Sequence, residues 1–519
     1  MVAAVVAGVL LATSPMLPMG WDEGDAIVRA GSPGWPYTIC REGHPALYGI
    51  LIAGGQWLSG GLLPPLEAAR FGPIVFFALA VGAVYAKLRA CDLTPSGSGH
   101  AALCSRDGSR DAARGPFAER KATVFLPLFA AASLLLQPRL LAHAHFASFD
   151  GPLTAAWLLC WAAFPLVRRG GKGAVVWGVT LGLTLSAKCT GWLAPLPFLV
   201  CAAVYRDRAA LRGMTVAVPT ALAVFYLLNP PLWTSPVAGL ATFFELNLNR
   251  RALGLNISTQ FFGRMYNLDF PLPWYNGLAW TAMTVPVGLL MLAVLGLWKR
   301  WADRDPSPIP PTALLGANWG LLLLVRALPW APPHDAERLI LPSFAFLGLL
   351  AALGADWLWQ RGRTAKVAVA AIYLGSLSSV LWYAPQWLSY YNLAIGGLRG
   401  GVAAGMEPTY YWDALDRDLL DWLAENTAEG EKVFIAAPSP DNLALLRQWG
   451  RLRFEHRPEA PGRWRWRVIQ HRPSAWSPLD RRLIENAEPA YIKTIRGGGI
   501  GPWQLDVPLV SVYAWEGER

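Results

Sequence analysis

Three features of this sequence predict a polytopic α-helical membrane protein with a small α/β unit at its C-terminal end. The 519-residue chain is 54% hydrophobic and only 15% charged, which is the balance of a protein whose solvent is lipid. Apolar windows of spanning length recur near 1–19, 70–88, 122–137, 150–167, 173–187, 190–205, 213–232, 275–298, 311–327, 339–358 and 367–385, predicting about 11 transmembrane helices. From about residue 386 the texture becomes that of a soluble unit, with 16 Lys+Arg and 17 Asp+Glu. The expected organisation is therefore a membrane domain over 1–385 and an α/β domain over 386–519.

Each element follows from local pattern. The run Met1 to Gly20 has no basic n-region, so it reads as a retained first span rather than a signal peptide. The first outer loop is expected over 20–69. Within it the apolar run His44 to Leu63, interrupted by Gly54-Gly55 and Gly60-Gly61 and closed by Pro64-Pro65, predicts a helix lying in the interface, with a twelfth span as the alternative. A short outer connection is expected over 138–149, a large outer loop over 233–274 and an outer strip over 328–338. Segment 92–116, rich in Gly, Ser, Arg and Asp, reads as a flexible linker.

Charge orients this map. The inner loops 87–121, 168–172, 205–212, 299–304 and 361–366 hold 19 basic residues, more than the outer segments, which are longer in total. The Asp22-Glu23 segment and the C-terminal domain then face outward. In that domain Asp416 to Asn426 has helical period, Lys432 to Ala437 reads as a strand and Pro440 to Trp449 as a helix. The alternation of Arg463-Trp464-Arg465-Trp466-Arg467 predicts a strand with Trp on one face and Arg on the other.

Composition also excludes function classes. The net charge of +10 lies wholly in the membrane part, where basic clusters at helix ends orient spans and touch anionic lipid, so nucleic acid is not an expected partner. The 26 tryptophans suit bilayer interfaces. Cys40, Cys91, Cys104, Cys160, Cys189 and Cys201 include no C-x-x-C pair and give neither a zinc site nor a disulfide framework.

The chemistry-bearing segment is Trp21-Asp22-Glu23-Gly24-Asp25, three carboxylates directly after the first apolar run. Acids at the mouth of a bilayer must be solvated, paired or used. Two adjacent ones suit a base that strips a proton from a hydroxyl. Further ionisable residues fall at outer helix ends and form one candidate ring: His44, Arg139, Asp150, Lys188, Glu245, His334 and Arg338.

The ordered series resembles the C-type glycosyltransferases (GT-C) of the protein O-mannosyltransferase and aminoarabinose-transferase kind. Trp21-Asp22-Glu23-Gly24 resembles the acidic motif after their first helix. His44-Pro45-Ala46-Leu47 resembles their His-Pro-Pro-Leu stretch, with Ala for the second Pro, and Ala69-Arg70-Phe71 the start of their second span. Ser148 to Leu153 resembles an Asp-containing motif, Gly182 to Lys188 a Gly-Leu-to-Lys motif, and Arg338-Leu339-Ile340-Leu341-Pro342 an Arg-x-x-x-Pro element. Ser389-Tyr390-Tyr391-Asn392, Gly396-Gly397 and Glu407 to Tyr410 resemble a segment of some bacterial members that precedes a soluble tail.

The resemblance implies a GT-C-like fold and transfer of a sugar, with inversion, from a polyprenyl-phosphate carrier to a protein, lipid or glycan hydroxyl. Asp22 would be the general base, with Glu23 second. Arg338 and Lys188 would hold the leaving phosphate, and His44, Asp150, Glu245, Arg139 and His334 would line the donor site. No metal-ligand spacing appears beyond Asp22 and Glu23, so no cofactor is expected unless a divalent cation binds that pair. Arg- and Ala-rich, Lys-poor usage points to a bacterial inner membrane. The alternative is a transporter or flippase of a lipid-linked sugar, which would show repeats and a midplane site. The enzyme reading requires Asp22-Glu23 and Arg338 to face each other across a lipid-accessible outer cavity.

Overall fold

The computed structural model describes residues 1–32, 38–92, 124–249, 256–302, 309–411, 414–436, 439–495 and 506–516. Most of the expected linker 92–116, with Cys104, lies outside them.

The chain opens with α1 (Val2–Thr13), apolar on all sides, and a 3₁₀ turn over Ser14–Met16. Pro15 and Pro18 forbid its continuation. The path bends by 107° into α2 (Trp21–Gly31), whose strongly one-sided polarity marks an amphipathic helix. The acids thus open a second helix instead of closing the first. A single turn, α3 (Thr38–Arg41), leads to α4 (Leu47–Ser59), ended by Gly60 at φ 53°, and to the long α5 (Pro65–Asp92).

The membrane part continues with α6 (Leu126–Leu135), α7 (Pro138–His145), α8 (Asp150–Val167), α9 (Gly171–Leu185), α10 (Pro195–Val204) and α11 (Arg208–Leu228). The short connection expected over 138–149 is mostly α7, started by Pro138 and buried along its whole length. The expected outer loop 233–274 holds α12 (Pro231–Thr234), α13 (Pro236–Leu248) and a hairpin of β1 (Thr259–Phe261) and β2 (Arg264–Tyr266). Phe262 and Gly263 both have positive φ, as a tight two-residue hairpin turn requires.

The expected span 275–298 is two helices, α14 (Asn276–Thr284) and α15 (Val287–Ala302), parted at Pro286. Then follow α16 (Pro311–Arg326), α17 (Leu341–Trp359) and α18 (Arg363–Tyr383). All eleven apolar windows are occupied by helix. Among the described residues five helices are individually long and apolar enough to cross a membrane, or six if the bent pair α1 and α2 counts as one. α17, buried along most of its length, is the axis of the bundle. It meets α15 backbone to backbone, where an added Cβ at Gly354 would stand 1.9 Å from Leu292 O and one at Gly296 2.0 Å from Leu350 O.

Beyond α18 the chain forms α19 (Gly397–Ala403), α20 (Arg417–Glu425), β3 (Glu431–Ile435), α21 (Pro440–Gln448), β4 (Arg463–Gln470), α22 (Pro478–Asn486), β5 (Tyr491–Lys493) and β6 (Val510–Ala514). The sheet order is β3-β4-β6-β5, with β3 and β4 parallel and the other pairs antiparallel. Strict alternation would put both tryptophans of β4 on one face. A register shift inserts Arg465 as an extra residue and parts them: Trp464 packs with Phe434 and Trp515, whereas Trp466 packs with Trp422.

Candidate active site

Four segments far apart in sequence converge on Arg338. This residue opens a 3₁₀ turn at the head of α17, and its guanidinium reaches Asp22 Oδ2 at 2.7 Å, Asp150 Oδ2 at 2.9 Å and Asp335 Oδ2 at 2.9 Å. Lys188 Nζ lies 2.6 Å from Asp150 Oδ1. Asp22 comes from the first turn of α2, Asp150 opens α8, and Lys188 follows α9. Arg472, after β4, brings its guanidinium to 3.7 Å from Asp335 Oδ1. Three carboxylates therefore face three cations in a largely dry place, and Arg472 also lies 3.9 Å from a fourth carboxylate, that of Glu407.

The acids differ in environment. Burial raises the Asp22 carboxyl above its usual value, Arg338 opposes that, and the Asp335 and Asp150 charges add to it. For Asp335 burial also favours the neutral form, but Arg338, then His334 and Arg472, outweigh it and hold the carboxyl at about 2. Asp335 and Ala336 sit at φ 58° and 48°, a left-handed pair held by Arg326, which donates to the carbonyls of Pro332, Pro333 and His334.

Tyr411 lies over the same guanidinium, with its ring centroid 4.7 Å from Arg338 Cζ. Its backbone carbonyl accepts from Trp21 N–H at 3.0 Å, and its hydroxyl is buried without a hydrogen-bond partner among the described residues. His143 of α7 packs nearby with its ring tilted, 5.6 Å from the Tyr411 ring, and burial pushes its imidazole down to about 3, so it is neutral.

The two adjacent acids of the sequence part company. Glu23 is fully buried and accepts from Arg70 Nε at 2.8 Å, Arg70 Nη2 at 2.6 Å, Gly20 N–H at 2.9 Å and Ala147 N–H at 2.8 Å. Arg70 spends its remaining donors on the carbonyls of Ser14, Leu17 and Pro18. This pair staples the bend between α1 and α2 to α5. Successive helix residues diverge by about 100°, so Asp22 faces Arg338 while the Glu23 oxygens are taken up by Arg70 and two backbone N–H groups. Among the described residues no group of three His, Cys, Asp or Glu side chains is placed to hold a metal.

The other ring members fall around this centre. His44 stacks on Phe149, the neighbour of Asp150, at 4.4 Å between centroids. His334 Nε2 is 4.0 Å from Asp335 Oδ2. Arg139 pairs at 2.6 Å with Glu337, next to Arg338, and donates to the Tyr390 carbonyl, so it braces the strip from behind. Glu245 stands apart, exposed on α13. The site is packed rather than an open cavity: Arg338 keeps 10% and Asp22 18% of its side-chain exposure. A cavity of about 720 Å³ lies elsewhere, lined by Met16, Glu67, Gln386, Asp416 and Lys493 among others.

Sequence reading misses Asp335, Tyr411 and Arg472. Asp335 has a signal, three residues before Arg338 in a Pro-rich strip. Tyr411 and Arg472 have none, since only the tertiary fold brings them in.

No family profile and no curated sequence matches the chain. Among solved structures, ArnT from Cupriavidus metallidurans bound to undecaprenyl phosphate is similar over 98% of this chain and 97% of that one, at 12% identity and TM-score 0.50. The apo state of that protein gives 13% identity, the same coverage and the same score. AglB from Archaeoglobus fulgidus, in complex with an inhibitory peptide and a dolichol-phosphate, is less similar, at TM-score 0.42 and 13% identity over 88% of this chain and 61% of that one. Likeness at such identity speaks of architecture alone: the chain shares the fold of ArnT over nearly its whole length.

Proposed function

We propose that this protein transfers a sugar, with inversion, from a polyprenyl-phosphate carrier to a hydroxyl acceptor at the outer face of a bacterial inner membrane, with residues 386–519 on that face. The observation that supports this most is the triple engagement of Arg338 by Asp22, Asp150 and Asp335. A guanidinium so placed is the group a phosphate would compete for. When a donor phosphate takes a share of Arg338, Asp22 loses its counter-charge while staying desolvated, which makes it a stronger base.

The charge then balances through the reaction. The acceptor oxygen attacks the anomeric carbon, its proton passes to Asp22, and the anomeric carbon–oxygen bond breaks with its electron pair going to the phosphate. One negative charge leaves Asp22 and one appears on the departing phosphate. Arg338, next to Asp22, faces both, and Lys188 adds a second cation on the Asp150 side. Asp335 stays ionised and orients Arg338. Of the stacked pair His44 and Phe149, Phe149 is buried, and half-buried His44 is the ring that a sugar could meet.

The flippase alternative asks for a midplane site. The cluster instead gathers at the beginnings of α2, α8 and α17, which favours an enzyme working at one membrane face. The test is transfer by the full-length protein in nanodiscs, with undecaprenyl-phosphate-linked mannose and undecaprenyl-phosphate-linked aminoarabinose as donor probes and cell-envelope extract as acceptor. Release of undecaprenyl phosphate with labelling of the extract is expected for one of the donors. Label that stays on the lipid with both, or only changes leaflet, would overturn the reading.

A further inference from the structure

The first turn of α2, which carries Asp22, is not closed by its own backbone alone. Asn442, near the start of α21, donates from Nδ2 to the carbonyl of Gly20 at 2.9 Å and accepts at Oδ1 from the N–H of Gly24 at 2.8 Å. These are the two groups that an ordinary i to i+4 helical bond would join across Asp22. A carboxamide from 418 residues away is spliced into the turn, buried and with both of its polar atoms used.

The fit leaves no slack. A Cβ on Gly24 would stand 2.2 Å from Asn442 Oδ1 and 2.5 Å from its backbone nitrogen, so only glycine admits α21 this close. Asp25 and Asp441, neighbours of the two partners, share a hydrogen bond at the same junction. On the other side Tyr411 holds the N–H of Trp21. The C-terminal α/β unit thus reaches past the surface of the membrane part and sets the backbone on which the base sits.

We propose that Asn442 is a positioning residue for Asp22, holding the first turn of α2 open by one carboxamide so that the Asp22 carboxylate meets Arg338. This rests on the reading of Asp22 as the base. Without the carboxamide, Gly24 N–H and Gly20 O close directly on each other, the turn tightens, and Asp22 draws away from Arg338. A displacement of about 1 Å at a reacting group costs on the order of 10²-fold in rate.

The test uses the full chain in nanodiscs with the more active of the two donor probes above. Asn442→Ala is expected to lower kcat about 10- to 10²-fold with the donor KM changed less than about threefold. The acid limb of its kcat profile should move to higher pH, because a buried carboxylate separated from its guanidinium is harder to ionise. Asn442→Asp keeps the acceptor for Gly24 N–H and should fall between the two, while Gly24→Ala should reproduce the loss from the opposite side.

Arg451→Ala breaks another contact between the C-terminal unit and the membrane part, the Arg451–Glu67 pair at 3.5 Å, without touching α2. It should leave kcat and the acid limb unchanged. Wild-type kcat and profile in Asn442→Ala would overturn the proposal, as would an equal loss in Arg451→Ala, which would make docking in general the cause. Asp22→Asn in the same assay keeps the two readings distinguishable. If it is inactive while Asn442→Ala is unimpaired, only the positioning role falls; if it is active, the base assignment falls first.

Discussion

Asp22 and Glu23 show how one residue of offset decides a role. Glu23 points into the bundle, where four donors satisfy it and Arg70 neutralises it. Asp22 points to the junction of α8, α17 and the segment holding Tyr411, where its one strong partner is a group that a phosphate would also want. Sequence alone offers the two acids as equals, because proximity in sequence carries no information on direction until the helix start is fixed. Removing one partner of a buried ion pair leaves an uncompensated charge and costs about 3–5 kcal/mol, whereas removing both can be nearly neutral. Arg70→Met is therefore expected to lower the midpoint of thermal unfolding in detergent, with Glu23→Leu/Arg70→Met recovering most of the loss. A double variant no better than the single would show that the staple acts through the backbone carbonyls that Arg70 also holds.

At the scale of elements, the junction between α2 and α21 is where the two textures of the sequence meet. Its pH response follows from Asp25, which burial and the hydrogen bond to Asp441 push up to about 6, with Arg29 opposing and itself also paired to Glu42. A carboxyl whose folded value lies above its ordinary one contributes stability that is complete at low pH and lost as pH rises through about 6. A carboxamide in place of this carboxyl would donate to Asp441 at every pH. Asp25→Asn should therefore melt higher than the parent at about pH 7.5 and equally at about pH 4.5. Equal melting at both would show that Asp25 and Asp441 do not share a proton.

Across the whole molecule, what is legible in the sequence is what depends on composition and short-range pattern. The eleven apolar windows are helical, the α/β texture after residue 386 holds a mixed sheet, and Asp22, Asp150, Lys188 and Arg338, each marked in the sequence by its place at a helix end and by the short motif around it, converge. What depends on tertiary contacts is not legible. α7 reads as a loop because eight residues are too few to show a period, and Glu245 joins the candidate ring only because it shares a membrane side with it. Tyr411, Asn442 and Arg472 carry no local mark of function; they matter because the last quarter of the chain folds back over the first twenty-five residues. If Asp22 accepts the proton while Arg338 receives the phosphate, removing the Asp22 charge separates binding from transfer. One preparation of Asp22→Asn in nanodiscs, assayed for both undecaprenyl phosphate binding and sugar transfer, decides the point. Binding at least as tight as the parent's is expected, since a competing carboxylate is gone, together with transfer reduced by about 10²- to 10⁴-fold. Transfer at the parent's rate would contradict the role of Asp22 as base.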